Sequence, residues 1–175
     1  MSERLLVQRI GLIGLMNLLT NLGGIILLPI LTKNISVGDY GIWAQVNVTV
    51  GLISILILLG LHQSMVRFMA TAKARDEIQE IFYSILFSVV AAASLLSLIL
   101  FYLSDNLAVL LFDSNFAVAE IIPLIVFLES INWVLFNFFR ASQQIKLYSL
   151  FSLISVYLSI TLAYYFVTLL GGGIL

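Results

Sequence analysis

Five long apolar runs, each bounded by charged residues, organise the chain. The first, between Arg9 and Lys33, reads IGLIGLMNLLTNLGGIILLPILT and holds no charge. The second, between Asp39 and Arg67, contains no charged residue and one histidine, His62. The third, between Glu80 and Asp105, is uncharged. The fourth, between Glu120 and Arg140, carries one charge, Glu129, and the fifth runs uncharged from Leu147 to Leu175. A bilayer core about 30 Å thick is crossed by about 20 apolar residues in a helix. None of the runs alternates with the period of two that a barrel strand of about 10 residues would show. A helix satisfies its own backbone in lipid, so helices are predicted. The expected spans are 10–32, 41–65, 80–103, 119–140 and 147–170. They make an all-α, polytopic transmembrane helical bundle of about five spans, read as a single membrane domain over 1–175.

The segments between the runs refine this picture. The first run is longer than a secretory h-region of about 7–15 residues, and no small-residue cleavage pattern follows it. It stays as a membrane helix. RFMATAKARDEIQE (67–80) is expected to continue helix 2 out of the membrane and then turn. SDNLAVLLFDSN (104–115), apolar between two aspartates, reads as a short helix in the outer interface.

Composition agrees with the pattern. Of 175 residues, 62% are hydrophobic and 10% charged, against about 25% charged in a soluble domain. So few charges cannot clothe a water-facing surface, so the exterior must meet lipid. A net charge of -1 implies no bulk attraction to nucleic acid. Zero cysteines and one histidine exclude disulfides, thiolate sites and histidine clusters, and no metal site or cofactor is expected. There is no HExxH, G-x-S-x-G, Walker A loop or repeated Asp-rich motif, so no enzyme activity is expected.

Charge also orients the chain. Of its eight lysines and arginines, seven (Arg4, Arg9, Arg67, Lys73, Arg75, Arg140 and Lys146) fall on one side of the five-span arrangement. Lys33 alone falls on the other. The positive-inside rule places the N-terminus and the 2–3 and 4–5 loops in the cytoplasm. The C-terminal GGGIL reads as a link to a sixth helix, which gives the chain the look of a truncated piece.

Glu129 is the sharpest chemical feature. A carboxylate near the bilayer centre costs roughly 2.5–3.5 kcal/mol on insertion scales, so it must be paired, protonated or wet. Asn132 lies three residues on. Arg140, eleven on, projects on nearly the same face about 16 Å away. The three are candidates for a polar track that meets a substrate. The structural alternative is a glutamate held by Asn132 or a neighbouring helix. Asn17, Thr20 and Asn21 share one face of span 1, and Asn47 and Thr49 lie in span 2. Contact with a sugar-like substrate competes there with plain interhelical hydrogen bonding. Gly23, Gly24 and Pro29 are hinge candidates, or sites of close packing. Arg67 could meet a lipid phosphate or anchor the span. His62 reads as an interface residue. Trp43, Tyr148, Tyr157, Tyr164 and Tyr165 read partly as belt aromatics, and Trp133, deep in span 4, as a packing or cavity residue.

Three stretches, in order, carry a resemblance: LPILTKNISVGDYGIWAQV between spans 1 and 2, LGLHQSMVRFMA at the end of span 2, and FFRASQQIKLYSLFSLIS from span 4 into span 5. The D-Y-G, the LGL…R end and the R-A-x-Q…Y-S link resemble the N-terminal part of polysaccharide biosynthesis proteins. These are O-antigen-type flippases of the multidrug/oligosaccharidyl-lipid/polysaccharide (MOP) exporter superfamily. The resemblance implies two pseudo-symmetric lobes of about twelve to fourteen helices, around a cavity that works by alternating access without ATP. It implies a multi-pass protein of the cell (cytoplasmic or inner) membrane that flips lipid-linked oligosaccharide for cell-surface polysaccharide. Its partners would be membrane lipids, the glycan lipid, and either the missing C-terminal lobe or glycan-assembly proteins. Arg67, Glu129 and Arg140 sit at levels suited to a sugar–diphosphate head. The chain would be most of the first six-helix lobe. Alternatives are export of lipid II, cation-coupled drug export, or a half-lobe without transport that needs a partner.

Overall fold

Each apolar run is helical in the structure, a computed structural model that describes residues 3–72 and 74–169. In chain order these are α1 (Glu3–Asn34), α2 (Val37–Leu58), α3 (Leu61–Thr71), α4 (Arg75–Tyr102), α5 (Ser104–Leu111), α6 (Phe116–Ala141) and α7 (Ile145–Tyr164). A π-helical turn, Tyr165–Leu169, follows α7. Five helical segments are long and apolar enough to cross a membrane: Ile13–Asn34, Val37–Thr71, Arg75–Tyr102, Phe116–Ala141 and Ile145–Thr168. Apolar side chains such as Leu18, Ile25, Leu52, Ile55, Phe87, Leu98, Leu124 and Leu158 stand exposed along them. A soluble monomer does not carry apolar surface on that scale. The chain is a multi-pass membrane protein. Lys73 and the end of the chain from 170 on, where the GGGIL reading falls, lie outside the described residues, as do the side chains of Arg4, Arg9 and His62.

The second span departs from expectation. It was expected to run as one helix over 41–65 and onward. Instead Leu59 (φ 40°) and Gly60 (φ 78°) adopt the left-handed conformation and break it. Glycine takes that conformation without a Cβ penalty. The Gly60 carbonyl then accepts from the amides of Gln63 (3.0 Å) and Ser64 (3.2 Å), which starts α3. α3 buries Met65 and Met69, one turn apart. The fifth span also ends differently, in π-helical winding where an α-helix to 170 was expected.

The link between α1 and α2 is only two residues long, and its chemistry is local. Ser36 Oγ accepts from the Asp39 amide at 3.1 Å and donates to Asp39 Oδ2 at 2.8 Å. This is an N-terminal cap in which serine satisfies an orphan amide and the aspartate sits at the positive end of the helix dipole. Loss of the cap by Ser36→Ala is expected to cost about 1 kcal/mol. Hydrogen exchange checks it, with amides 37–40 exchanging about fivefold faster and those of α6 unchanged; uniform protection would count against the cap.

The contacts sort the chain into two units, one built on α1 and α7 and the other on residues 41–142. In the second unit α4 and α6 form the principal pair. The Phe82 and Phe138 rings lie 4.5 Å apart, and Ser97 Oγ donates to the Pro123 carbonyl at 2.9 Å. Both anchors are separated by fifteen residues on each helix, rising along α4 and falling along α6. The pair is therefore antiparallel in a fixed register. On α6 the seam is Ala119, Ile122, Pro123, Val126, Ser130, Val134 and Asn137, and on α4 it is Ile85, Val89 and Ala93. Their three- and four-residue spacing makes one stripe per helix. Small residues let the backbones approach, which is what drives helix pairing where lipid removes the hydrophobic term. α5 packs on α6 with Ala108 and Phe112 fully buried. The chain then turns through Asp113 and Ser114, both at positive φ, and Asn115 Oδ1 caps α6 by accepting from the Val118 amide at 3.2 Å. The helix expected over 104–115 thus exists, and is shorter.

Candidate functional site

α6 is 26 residues long and Glu129 lies at its middle. The α4 register puts Glu129 level with Ala91, inside the stretch FSVVAAASLLSL, which has no ionisable side chain. Its Oε2 accepts from Asn132 Nδ2 at 3.5 Å. That is the outer limit of a hydrogen bond and contributes little. At about 100° per residue, Glu129 points roughly a quarter-turn away from the buried seam, and Asn132 farther still. Glu129 is half-buried and Asn132 exposed. Trp133, 45% exposed, follows one turn from Glu129. Arg140, exposed in the last turn, completes the line. Its charge also complements the helix C-terminus. Glu129, Asn132, Trp133 and Arg140 thus share one flank of α6, at spacings of three, four and eleven residues from the glutamate.

The other candidates are placed separately. Arg67 is exposed on α3. Near it, at the α3–α4 turn, a shallow groove of 260 Å³ is lined by Phe68, Thr71, Ala72, Glu77, Glu80 and Ile81. Glu77 there accepts from the Ala74 amide at 3.4 Å and so helps to begin α4. In the first unit, Asn17 and Asn21 are exposed on α1. Thr20 Oγ1, between them, is buried without a partner. α1 runs unbroken through Gly23, Gly24 and Pro29. Gly23 is buried, and a Cβ there would come within 2.4 Å of Val156 Cγ1 on α7. Gly24 and Pro29 are exposed. Asn47 Nδ2 donates to the Trp43 carbonyl at 2.8 Å, within its own helix.

Sequence reasoning missed the polar residues of the α6 seam. Ser130 Oγ donates to the Val126 carbonyl at 2.7 Å, and Asn137 Nδ2 to the Trp133 carbonyl at 2.8 Å. Both satisfy themselves one turn back, so they enter the seam without a partner helix. Their seven-residue spacing on the stripe of Val126 and Val134 was the available signal. Among the described residues no group of histidine and carboxylate side chains could hold a metal ion.

The profile of the polysaccharide biosynthesis protein family matches residues 6–175, nearly the whole chain. No curated protein and no solved structure matches it.

Proposed function

Because the chain belongs to the polysaccharide biosynthesis protein family of MOP flippases, we propose that it moves lipid-linked oligosaccharide across the cell (cytoplasmic) membrane for cell-surface polysaccharide, by alternating access. Members of this family are typically transporters, not enzymes. The observation that carries the reading is the Glu129–Asn132 pair, halfway along a membrane-spanning helix and off its packing seam. A carboxylate kept at that depth against roughly 2.5–3.5 kcal/mol is paired, protonated or wet, and a glycan supplies hydroxyl donors that can pair it. In this reading the N-terminus is cytoplasmic, Arg67 and Arg140 meet phosphate at that side, and α1 bends near Gly24–Pro29. A second lobe, as further chain or as a partner, encloses the cavity. The uncharged stretch between Arg9 and Lys33 lacks the aspartate that cation-coupled drug export would favour.

Flipping is measured with the full-length gene product in liposomes and a fluorescent polyprenyl-diphosphate oligosaccharide, read by loss of quenchable signal from the outer leaflet. Protein-dependent flipping is expected, and about tenfold slower flipping in Glu129→Gln, the scale of one lost hydrogen bond to a charged group. A rate equal to that of protein-free liposomes would sink the proposal.

A further inference from the structure

We infer that Glu129, Asn132 and Trp133 form a saccharide subsite that takes the sugar ring of the lipid and not its diphosphate. This rests on the flippase reading and adds which part of the substrate meets α6. The three side chains lie within about 100° of arc on α6, with Glu129 half-buried, Asn132 exposed, and Trp133 45% exposed at the margin of the α4 seam.

Their chemistry selects the occupant. Glu129 is acceptor-only when ionised, and Asn132 offers both a carbonyl and an amide. Vicinal sugar hydroxyls donate and accept in the same pattern. An indole presents a flat apolar face with a single N–H donor, and the C–H face of a pyranose lies against such a surface. A diphosphate brings only acceptors and negative charge. Beside Glu129 it would meet like charge with no cation at that level of α6 or of its α4 partner, where the stretch FSVVAAASLLSL has no ionisable group. The cation on this flank is Arg140, about 16 Å along the axis. That distance is enough to hold a phosphate while a ring or two of the glycan reaches Glu129. The hydrogen bond between Glu129 and Asn132, at 3.5 Å, is weak enough to be exchanged for sugar hydroxyls.

The chain has two tryptophans, Trp43 and Trp133, so a Trp43→Phe background makes Trp133 the only indole contributed by these residues. Any tryptophan in further chain is replaced by phenylalanine too. The full-length protein in nanodiscs is titrated with two probes: a polyprenyl diphosphate carrying one N-acetylhexosamine, and the bare polyprenyl diphosphate. The glycosylated probe is expected to shift indole emission while the bare one does not. With radiolabelled probes, Glu129→Gln and Trp133→Ala should each weaken binding of the glycosylated lipid about tenfold and leave the bare lipid within twofold. Trp133→Phe should restore most of it, and Arg140→Gln should weaken both lipids. Equal emission changes with the two probes, or an unchanged affinity for the glycosylated lipid in Glu129→Gln and Trp133→Ala, would overturn the subsite while leaving the flippase reading in place. Binding of neither probe by the wild-type protein would overturn both.

Discussion

Gly23→Leu is expected to break the α1–α7 pair, at a cost of about 3 kcal/mol, the top of the range for overpacking a tight seam. A Cβ at position 23 would fall 2.4 Å from Val156 Cγ1 and 3.2 Å from Ile160 Cδ1. Valine in a helix keeps one strongly preferred rotamer, so Val156 cannot swing clear without cost. The helices must separate instead, and helix pairing in lipid depends on close approach. The adjacent glycine sharpens the test. Nothing lies within 4 Å of a Cβ at Gly24, so Gly24→Ala should gain up to about 1 kcal/mol of helix propensity. Gly23→Ala gains the same propensity and loses more to the overlap. Adjacent substitutions of one chemistry should therefore differ in sign. Unfolding in mixed micelles against SDS measures both. Val156→Ala should recover at least about 1 kcal/mol in the Gly23→Ala background, as a coupled pair does. Equal effects at Gly23 and Gly24 would remove the packing role.

The glycine pair shows where reading the sequence stops. All five spans were visible because apolar runs of membrane length bounded by charge permit few other structures. Glu129 was visible for the same reason, as a charge where none is cheap. Position along a span can be counted, but the side a residue faces cannot. The alternatives at Gly23, hinge or contact, differ only in whether Val156 stands opposite. The break at Leu59–Gly60 was hidden too. Gly60 lies among apolar residues that could continue a helix, and only the seating of Met65 and Met69 favours the turn. Conversely, the D-Y-G that carries the family resemblance includes a helix-capping residue, Asp39. Part of what carries the resemblance in this chain therefore lies in how α2 begins. The line from Glu129 to Arg140 was countable at eleven residues. That Trp133, at the margin of the seam that holds Val126, still stands 45% exposed could not be counted.

The α4–α6 seam offers the second large effect. Ala91, Ala92 and Ala93 are consecutive in α4, yet Ala93 is fully buried and Ala91 is exposed. Ala93 lies one turn from Val89 and one from Ser97, whose hydroxyl is fastened to the Pro123 carbonyl. Proline has no N–H, so the Ala119 carbonyl loses its usual helix donor, and α6 is locally less constrained at the very turn where α4 holds it. A leucine at 93 would push three more carbons into this seam and strain the Ser97 bond. Ala93→Leu is therefore expected to cost about 2–3 kcal/mol. Ser97→Ala should cost less, about 1 kcal/mol, the scale of an interhelical hydrogen bond in a membrane. Ala91→Leu, on the outer side of α4, should stay within about 0.5 kcal/mol of wild type. The same micelle unfolding ranks the three. If the α4 register is right, the order is Ala93→Leu, Ser97→Ala, Ala91→Leu, and a larger effect at 91 than at 93 would require α4 to be rotated about its axis. The unfolding series thus tests, without any substrate present, which face of α4 meets α6, the contact from which the level of Glu129 beside Ala91 is read.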